Sequence, residues 1–203
     1  PDSFAGTRFI GEVFQSYFLY DNGASIARDT ALLKIEVLEH HNPENERPFA
    51  ADDFAFTESG VPVSASWAAN DVELNGDSVR LNGSALLIQL GGLPTGALPL
   101  DTMSTDSGGS IIFFANGQFR YEPAGGYIGP DQVRYTLCDE PLVFSPPRCA
   151  TATIYFLVGY NDSTIAVNDV NHTWMNTPVE GAVCTNDIEP ALHTFDAFYV
   201  SDS

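Results

Sequence analysis

The segment Gly129–Val158 reads GPDQVRYTLCDEPLVFSPPRCATATIYFLV. Two runs rich in β-branched and aromatic residues flank a short loop that contains prolines, which is typical of two adjacent β-strands. One cysteine, Cys138 or Cys149, stands at the loop end of each run. The segment therefore predicts an antiparallel strand pair with two cysteines facing each other.

The same strand pattern recurs near the start of the chain. Ile10–Asp21 aligns without a gap with Ile128–Asp139, with identities at Ile, Gly, Tyr, Leu and Asp. Leu33–Val37 then follows the same in-out order as Ala152–Phe156. A sequence that echoes itself at this spacing is interpreted first as an array of repeats.

A second echo gives nearly the same period. Arg47–Glu73 aligns without a gap with Ser163–Glu189, an offset of 116 residues from 47 to 163. The first echo, from 10 to 128, has an offset of 118. The identical pairs in the second echo are Ala50/Ala166, Asp53/Asp169, Thr57/Thr173, Pro62/Pro178, Val63/Val179, Asn70/Asn186, Asp71/Asp187 and Glu73/Glu189. We expect the C-terminal part of one repeat at 1–42, a complete repeat at 47–159 and the N-terminal part of a third at 163–203, as in a window on a longer tandem protein.

Composition narrows the classes of partner. The formal net charge is −19 and Lys34 is the only lysine. Such a chain repels nucleic acid and anionic membranes, because it offers no basic surface onto which counterions could be released. No apolar run approaches the roughly 18 residues that span a bilayer. We therefore expect neither nucleic-acid binding nor direct membrane insertion.

Short strands separated by turns fill the complete repeat, and no stretch shows helical periodicity. Ser110–Phe114 and Phe119–Tyr121 flank Asn116-Gly117, a dipeptide typical of a tight primed hairpin turn. Residues 91–109 are rich in Gly, Pro, Ser and Thr and are interpreted as a long connection. Seven or eight strands in about 110 residues predict an all-β fold, tandem antiparallel β-sandwiches with Greek-key connections.

The ordered motifs carry a resemblance. The chain reads DDFAFT (52–57), then VPV (61–63), AND (69–71), ANGQFRYEP (115–123) and GPDQVRYTLCD (129–139). This series resembles the bacterial cadherin-like, Ig-like tandem repeat of large surface adhesins, notably gliding-motility adhesins that Bacteroidetes export by the type IX system. The resemblance implies an extracellular, cell-surface β-sandwich, often stacked end to end, with calcium in many relatives.

Three cysteines fall in the window. Cys138 and Cys149 are interpreted as a disulfide across the strand pair, with two buried thiols as the alternative. The first echo places Tyr20 and Thr30 at these two positions, so the bridge would be an optional staple. Cys184 aligns with Ala68 and is expected to be a small buried thiol.

Acidic side chains form the candidate calcium site. Asn70–Asp77 places oxygen ligands at alternating positions with a glycine to relieve the turn, a pattern that suits a hard cation. Solvated turn residues and Asx caps are the alternative. The candidate ligands are Asp71, Glu73, Asn75, Asp77, Asp52, Asp53, Asp169, Asp139 and Glu140.

The sequence also bears on glycosylation and on catalysis. Four Asp-Ser/Thr triplets followed by a small or aliphatic residue fit the O-glycosylation signal of Bacteroidetes that export such proteins. The candidate acceptors are Thr30, Ser78, Thr102 and Ser163. No Ser-His-Asp or Cys-His arrangement repeats between copies, and no Gly-rich phosphate loop leads into a helix, so no catalytic residue is proposed.

The sequence therefore predicts a non-catalytic structural or adhesive segment, a stalk or filament of a cell-surface protein, with neighbouring repeats as its partners. The alternatives are a module that binds surface glycans or proteins, and an accessory array of an exported enzyme. A further possibility is a head-to-tail filament, in which residues 163–203 of one subunit complete residues 1–40 of a neighbour.

Overall fold

A computed structural model describes residues 9–21, 28–38, 45–141, 145–159, 165–185, 187 and 195–200. The described strands are β1 (Gly11–Asp21), β2 (Arg28–Leu38), β3 (Asp53–Thr57), β4 (Val63–Ser66), β5 (Ser78–Leu81), β6 (Pro99–Ser104), β7 (Ser110–Phe114), β8 (Gln118–Glu122), β9 (Gly129–Glu140), β10 (Cys149–Val158), β11 (Asp169–Trp174) and β12 (Phe195–Val200). Helical structure in these residues is limited to a 3-10 turn, Leu90–Gly92, which could not span a bilayer. The chain divides into two compact units, residues 1–43 with 163–203, and residues 44–162.

The unit at 44–162 is a two-layer β-sandwich. One sheet has the order β3-β10-β9-β5 and the other β4-β8-β7-β6. Alternate residues of the central strands point inward and are buried, as in QFRYE of β8 and TATIYFLV of β10. This period of two places one apolar face of each sheet against the other. The all-β Ig-like sandwich predicted from the sequence is therefore confirmed.

Aromatic side chains join the two layers. Trp67 is fully buried and contacts the rings of Phe113 and Tyr135 edge-on, at centroid distances of 6.3 and 6.0 Å. Tyr121 stacks on Phe156 with centroids 3.8 Å apart. The Trp67 indole N–H donates to the carbonyl oxygen of Phe114 at 3.1 Å, so this large side chain is buried without an unpaired donor.

Two local expectations were wrong. Residues 91–109 are not a plain connection, because β6 forms an edge strand that pairs with β7. An edge strand needs no strict alternation, and Pro99 is tolerated as its first residue because that position need not donate to the ladder. The pairing is also not antiparallel throughout, since β3 runs parallel to β10.

The Asn116-Gly117 hairpin also differs from the prediction. Gly117 has φ +79° but Asn116 is not among the residues with positive φ, and Gly117 N–H donates to the carbonyl oxygen of Phe114. The loop is thus a three-residue turn with glycine in the left-handed region. Asn82 and Gly83 instead both have positive φ, 49° and 75°, which is the primed turn.

The unit formed by residues 1–43 and 163–203 contains one sheet in the order β11-β2-β1-β12. This order matches β3-β10-β9-β5 strand for strand, including the parallel pair. The structure therefore pairs the two end segments within the chain, whereas the sequence assigns them to different repeats. Whether they belong to separate repeats of a longer protein stays a prediction.

The pairing register corrects one alignment. Gly11 lies opposite Val37, as Gly129 lies opposite Val158. Leu33–Val37 is therefore equivalent to Ile154–Val158 and not to Ala152–Phe156, although the in-out order is unchanged.

The register also identifies the counterparts of the two cysteines. Tyr20 pairs with Arg28, as Cys138 pairs with Cys149. Arg28, rather than Thr30, is thus equivalent to Cys149. Sequence alignment missed this because the connection between the two strands differs in length between the copies.

Candidate functional site

A buried tyrosine hydroxyl lies at one end of the sandwich among four acceptor oxygens. The Tyr135 hydroxyl is 2.9 Å from Asp71 Oδ2, 3.4 Å from Asp53 Oδ2, 3.1 Å from the Trp67 carbonyl oxygen and 3.2 Å from that of Ala51. These groups come from β9, from β3 and its approach, and from the segment after β4. We call this cluster the tyrosine joint. It fastens the first strand and the acidic loop to the centre of the sheet.

The joint has more acceptors than the tyrosine has protons. A hydroxyl donates one hydrogen, so it can satisfy only one of the four oxygens. Burial, together with the neighbouring charge of Asp71, raises the pKa of Asp53, and burial raises the pKa of Asp71. A proton retained by this pair of carboxyl groups can supply a second hydrogen bond inside the joint.

The same joint is built a second time. The Tyr17 hydroxyl lies 2.8 Å from Asp169 Oδ2, 3.2 Å from Asp187 Oδ1, 3.0 Å from the Val167 carbonyl oxygen and 2.9 Å from that of Val183. Each partner is equivalent to one of the Tyr135 partners at the offset of the two echoes. The backbone N–H bond also recurs at 2.8 Å, from Ala51 to Asp71 and from Val167 to Asp187.

Other identities in the echo have equally specific roles. Thr57 Oγ1 donates to the Val61 carbonyl oxygen at 2.6 Å, and Thr173 Oγ1 donates to that of Thr177 at the same distance.

The residue before each first-strand aspartate also has one role in both copies. Asp52 accepts from the backbone N–H of Thr153 at 2.8 Å, and Asn168 accepts from that of Leu32 at 2.9 Å. Sequence reasoning named Asp52 as a candidate ligand but could not assign these partners, which lie about 100 or more residues away.

Sequence reasoning missed a further buried carboxylate, that of Asp131. Asp131 accepts from Thr105 Oγ1, Tyr121 Oη, Ser107 N and Gln132 N. Burial alone would raise the pKa of Asp131, but these four donors lower it. The only signal in the sequence was an acid at an inward-facing position of a strand.

The acidic loop of the candidate calcium site is bound to protein donors. Glu73 Oε2 accepts from Asp77 N at 2.7 Å, and Asn75 Oδ1 accepts from Glu46 N at 2.6 Å. Asp77 is buried. These contacts account for the loop geometry in the way that the alternative interpretation, turn residues and Asx caps, expects.

The strand-end acids also have protein partners. Asp139 Oδ1 accepts from Arg148 N at 2.6 Å, and Glu140 forms an ion pair with Arg80 at 2.9 Å. Burial raises the pKa of Asp139.

Some oxygens at this end of the sandwich have no hydrogen bond. Among the described residues, the buried unpaired side-chain atoms are Asn45 Oδ1, Glu73 Oε1 and Asp139 Oδ2. Within the same residues, no three His, Cys, Asp or Glu side chains are arranged to hold one metal ion. Calcium binding therefore stays a prediction.

The predicted disulfide is present. Cys138 and Cys149 lie directly opposite each other on β9 and β10 and are joined through their sulfur atoms. Cys184 is a free thiol that is half-buried rather than fully buried. Burial, with Asp187 and Asp169 nearby, raises the pKa of this thiol, which lowers its reactivity.

The candidate O-glycosylation sites differ in exposure. Thr30 and Thr102 are exposed, Ser78 is half-buried, and Ser163 lies outside the described residues. The backbone N–H groups of Thr30 and Thr102 each donate to the preceding aspartate at 2.8 Å. Glycosylation stays a prediction for all four.

An open groove lies on the outer face of the β9–β10 pair. It has a volume of about 420 Å³ and is lined by Asp106, Gln132, Arg134, Thr153 and Tyr155. Polar donors and acceptors beside one aromatic ring are a composition that suits a hydroxyl-rich ligand.

The comparison with known protein families agrees with the observed architecture. A family model described as bacterial Ig domain matches residues 45–154, more than half of the 203 residues. No curated protein matches the chain. Domains of this family are generally non-enzymatic, and the family together with the disulfide indicates an extracellular location. On its sandwich topology, its disulfide and this match, the chain belongs to the bacterial Ig domain family.

Proposed function

We propose that the chain is a non-catalytic structural and adhesive segment of a large cell-surface repeat protein. The observation that carries the proposal is the double construction of the tyrosine joint and its four-stranded sheet within 203 residues. Repetition of one self-contained sandwich supplies reach, and each repeat contacts only its neighbours in such arrays. The resemblance to gliding-motility adhesins supports a stalk or filament at the cell surface.

Small-angle X-ray scattering of tandem arrays tests the structural role. Arrays of two, four and eight copies of residues 44–162 are compared with one copy. A stalk requires the maximum dimension to grow in proportion to copy number, because folded modules stack end to end. Growth close to the cube root of copy number, as in a collapsed globule, would contradict the proposal.

A second candidate function, carbohydrate binding, is favoured by the outer groove beside Tyr155. A glycan array probed with the 203-residue chain separates it from a pure spacer. A binding module gives a signal that Tyr155→Ala reduces at least about tenfold, because packing of the sugar ring on an aromatic ring is lost. Arg120→Ala, an exposed change on the opposite sheet, is the matched control. No signal above background on any glycan leaves the structural role as the sole proposal.

A further inference from the structure

The groove beside Tyr155 is formed by two pairs of facing residues. Gln132 on β9 lies opposite Tyr155 on β10. Two residues further along β9, Arg134 lies opposite Thr153. Residues two apart on a strand point to the same side of the sheet, so these four side chains share its outer face. Asp106, between β6 and β7, completes the lining. The groups that a ligand would meet therefore follow a fixed order along the two strands.

One end of the groove offers hydrogen-bond acceptors that are held in place. Gln132 Nε2 donates to Asp106 Oδ2 at 2.8 Å, and the backbone N–H of Asp106 donates to the Gln132 carbonyl oxygen at 3.0 Å. Within the described part of the chain, the Gln132 side-chain oxygen and Asp106 Oδ1 have no hydrogen bond. Acceptors of this kind bind hydroxyl groups.

The other end of the groove carries a guanidinium without a counter-ion. Among the described residues, the Arg134 side chain forms no ion pair or hydrogen bond. Ion pairs engage other cations of the chain, namely Lys34 with Glu12, Arg80 with Glu140, Arg120 with Glu122 and Arg148 with Glu46. The chain has 27 aspartates and glutamates but only 8 lysines and arginines, so Arg134 stays unpaired amid an excess of carboxylates. Its N–H donors are therefore available to a ligand.

We propose that this groove binds a uronic acid, a sugar whose ring carries a carboxylate, as part of a polysaccharide. The carboxylate binds the Arg134 guanidinium through paired, charge-assisted hydrogen bonds. The ring packs on Tyr155, and its hydroxyl groups donate to Gln132 and Asp106. The spacing fits, because two residues of a strand advance about 7 Å. In a uronic acid, the carboxylate and the C2 and C3 hydroxyls lie on opposite sides of one ring of comparable width.

This inference rests on the second candidate function, carbohydrate binding, and narrows its ligand to an acidic sugar. A neutral sugar is a poorer match, because it would satisfy the acceptors near Gln132 and leave the Arg134 guanidinium without a counter-ion. The net charge of −19 does not exclude an acidic ligand. The Debye length is about 8 Å at physiological ionic strength, so acids far from the groove are largely screened. Asp106, the acid that lines the groove, is bound by Gln132.

A matched pair of ligands tests the proposal. Tetragalacturonate and its methyl ester have the same rings and hydroxyl groups and differ in the charge of their carboxyl groups. Each is titrated into the 203-residue chain, and the shifts of backbone amide resonances give both the affinity and the position of the ligand. We expect the acid to bind at least about tenfold more tightly than the ester, with the largest shifts at residues 132–134 and 153–155.

Two arginine variants make the same change of charge at different places. Arg134→Gln should abolish the preference for the acid and leave the affinity for the ester within about twofold, because it removes the charge-assisted bonds alone. Arg120→Gln is the matched control, since Arg120 is exposed on the opposite sheet. It should preserve the preference.

The outcomes separate this inference from the function on which it rests. Equal affinity of the native chain for acid and ester, or a preference that survives in Arg134→Gln, would overturn the uronic acid and keep the groove as a sugar site. No binding of either ligand would remove the carbohydrate function as well.

An acidic peptide is the competing ligand for an unpaired arginine. Polyglutamate is therefore titrated in the same way. Binding of polyglutamate that Arg134→Gln abolishes and Tyr155→Ala preserves would assign the groove to acidic peptides and overturn the proposal, because a sugar ring requires the aromatic surface.

Discussion

The Tyr135 hydroxyl shows how one side chain can organise an end of the sandwich. It contacts groups from residues 51, 53, 67 and 71. These groups lie on separate segments of the chain, and the hydroxyl brings them together at one point. The energetic consequence is asymmetric, because a buried acceptor left without a donor costs about 1–3 kcal/mol while a satisfied one contributes about 1 kcal/mol. The joint therefore makes the first strand and the acidic loop depend on one hydroxyl.

The paired carboxyl groups predict a pH dependence of stability. Burial raises the pKa of Asp53 in the folded state, so as pH rises above the unfolded value near 4 the unfolded chain loses its proton first. The stability that Asp53 contributes is therefore fully present below about pH 4. It declines as pH rises, until the carboxyl group also ionises in the folded state. We expect Asp53→Asn to reduce the fall in unfolding free energy between pH 5 and 7 by up to about 1.4 kcal/mol per pH unit.

Urea unfolding at pH 5, 6 and 7 measures this change. Glu58→Gln, at an exposed turn position, is the control for removing one negative charge. Parallel pH profiles for Asp53→Asn and the native chain would contradict a buried protonated pair.

At the scale of elements, the same dipeptide forms two different turns. Asn82-Gly83 forms a primed turn with both residues at positive φ, whereas Asn116-Gly117 uses positive φ only at glycine. The Asn82 side chain is held by Asp101 and by the backbone N–H of Thr136. Gly117 is instead placed against Trp67, whose backbone N–H donates to its carbonyl oxygen. The Asn-Gly dipeptide permits both kinds of turn, and contacts with residues distant in the sequence determine which one forms.

Close packing at the start of β7 gives a stability prediction. A Cβ added at Gly109 would lie 2.8 Å from the Glu122 carbonyl oxygen and 2.8 Å from Tyr121 Cε2. Because backbone cannot move aside cheaply, Gly109→Ala should lower the unfolding free energy by about 2 kcal/mol or more. Gly125 is the control, since a Cβ there has nothing within 4 Å.

Gly125→Ala is expected to be neutral or to stabilise by about 0.5 kcal/mol through the unfolded state. Thermal and urea unfolding of both variants provide the comparison. Equal effects of the two substitutions would show that crowding at Gly109 is relieved by local movement.

The disulfide closes a short loop between β9 and β10. Its sequence separation is 11 residues, for which the chain-entropy model predicts a contribution of about 3 kcal/mol. Cys138→Ser with Cys149→Ser should lower the unfolding free energy by this order while leaving the sheet intact, because the other copy of the pair uses Tyr20 and Arg28 instead. Cys184→Ser is the control, since Cys184 is not in the bridge. A loss of unfolding free energy equal to that of the control would contradict a stabilising role for the disulfide.

At the scale of the whole molecule, the net charge of −19 makes two cation effects possible. Any salt screens the self-repulsion of the chain, whereas a bound divalent ion stabilises by mass action. If the unpaired oxygens of Asn45, Glu73 and Asp139 take calcium, 10 mM CaCl₂ should raise the unfolding free energy by about 1–3 kcal/mol beyond NaCl at equal ionic strength.

Asp139→Asn should remove the calcium-specific part, and Glu122→Gln, exposed on β8, should preserve it. Calorimetric unfolding in the two salts after treatment with a chelator gives the comparison. Identical stabilisation by CaCl₂ and NaCl would show that charge screening, and not calcium binding, accounts for the change in unfolding free energy.

The internal repeat, the all-β class and the position of the disulfide followed from the amino-acid sequence. Alternating apolar residues, turn residues and repeated motifs can all be recognised in the sequence without knowledge of the fold. The sandwich also followed, since strands with one apolar face must bury it against another layer. β6 did not follow, because an edge strand is open on one side and its residues carry no strict alternation.

The tyrosine joint was decided only by the tertiary structure. Tyr17 and Asp169 are 152 residues apart, and nothing in the local pattern of either residue specifies the other. The identical residues of the two echoes were visible in the sequence, but their meaning required the strand register that brings hydroxyl and carboxylates within hydrogen-bond distance.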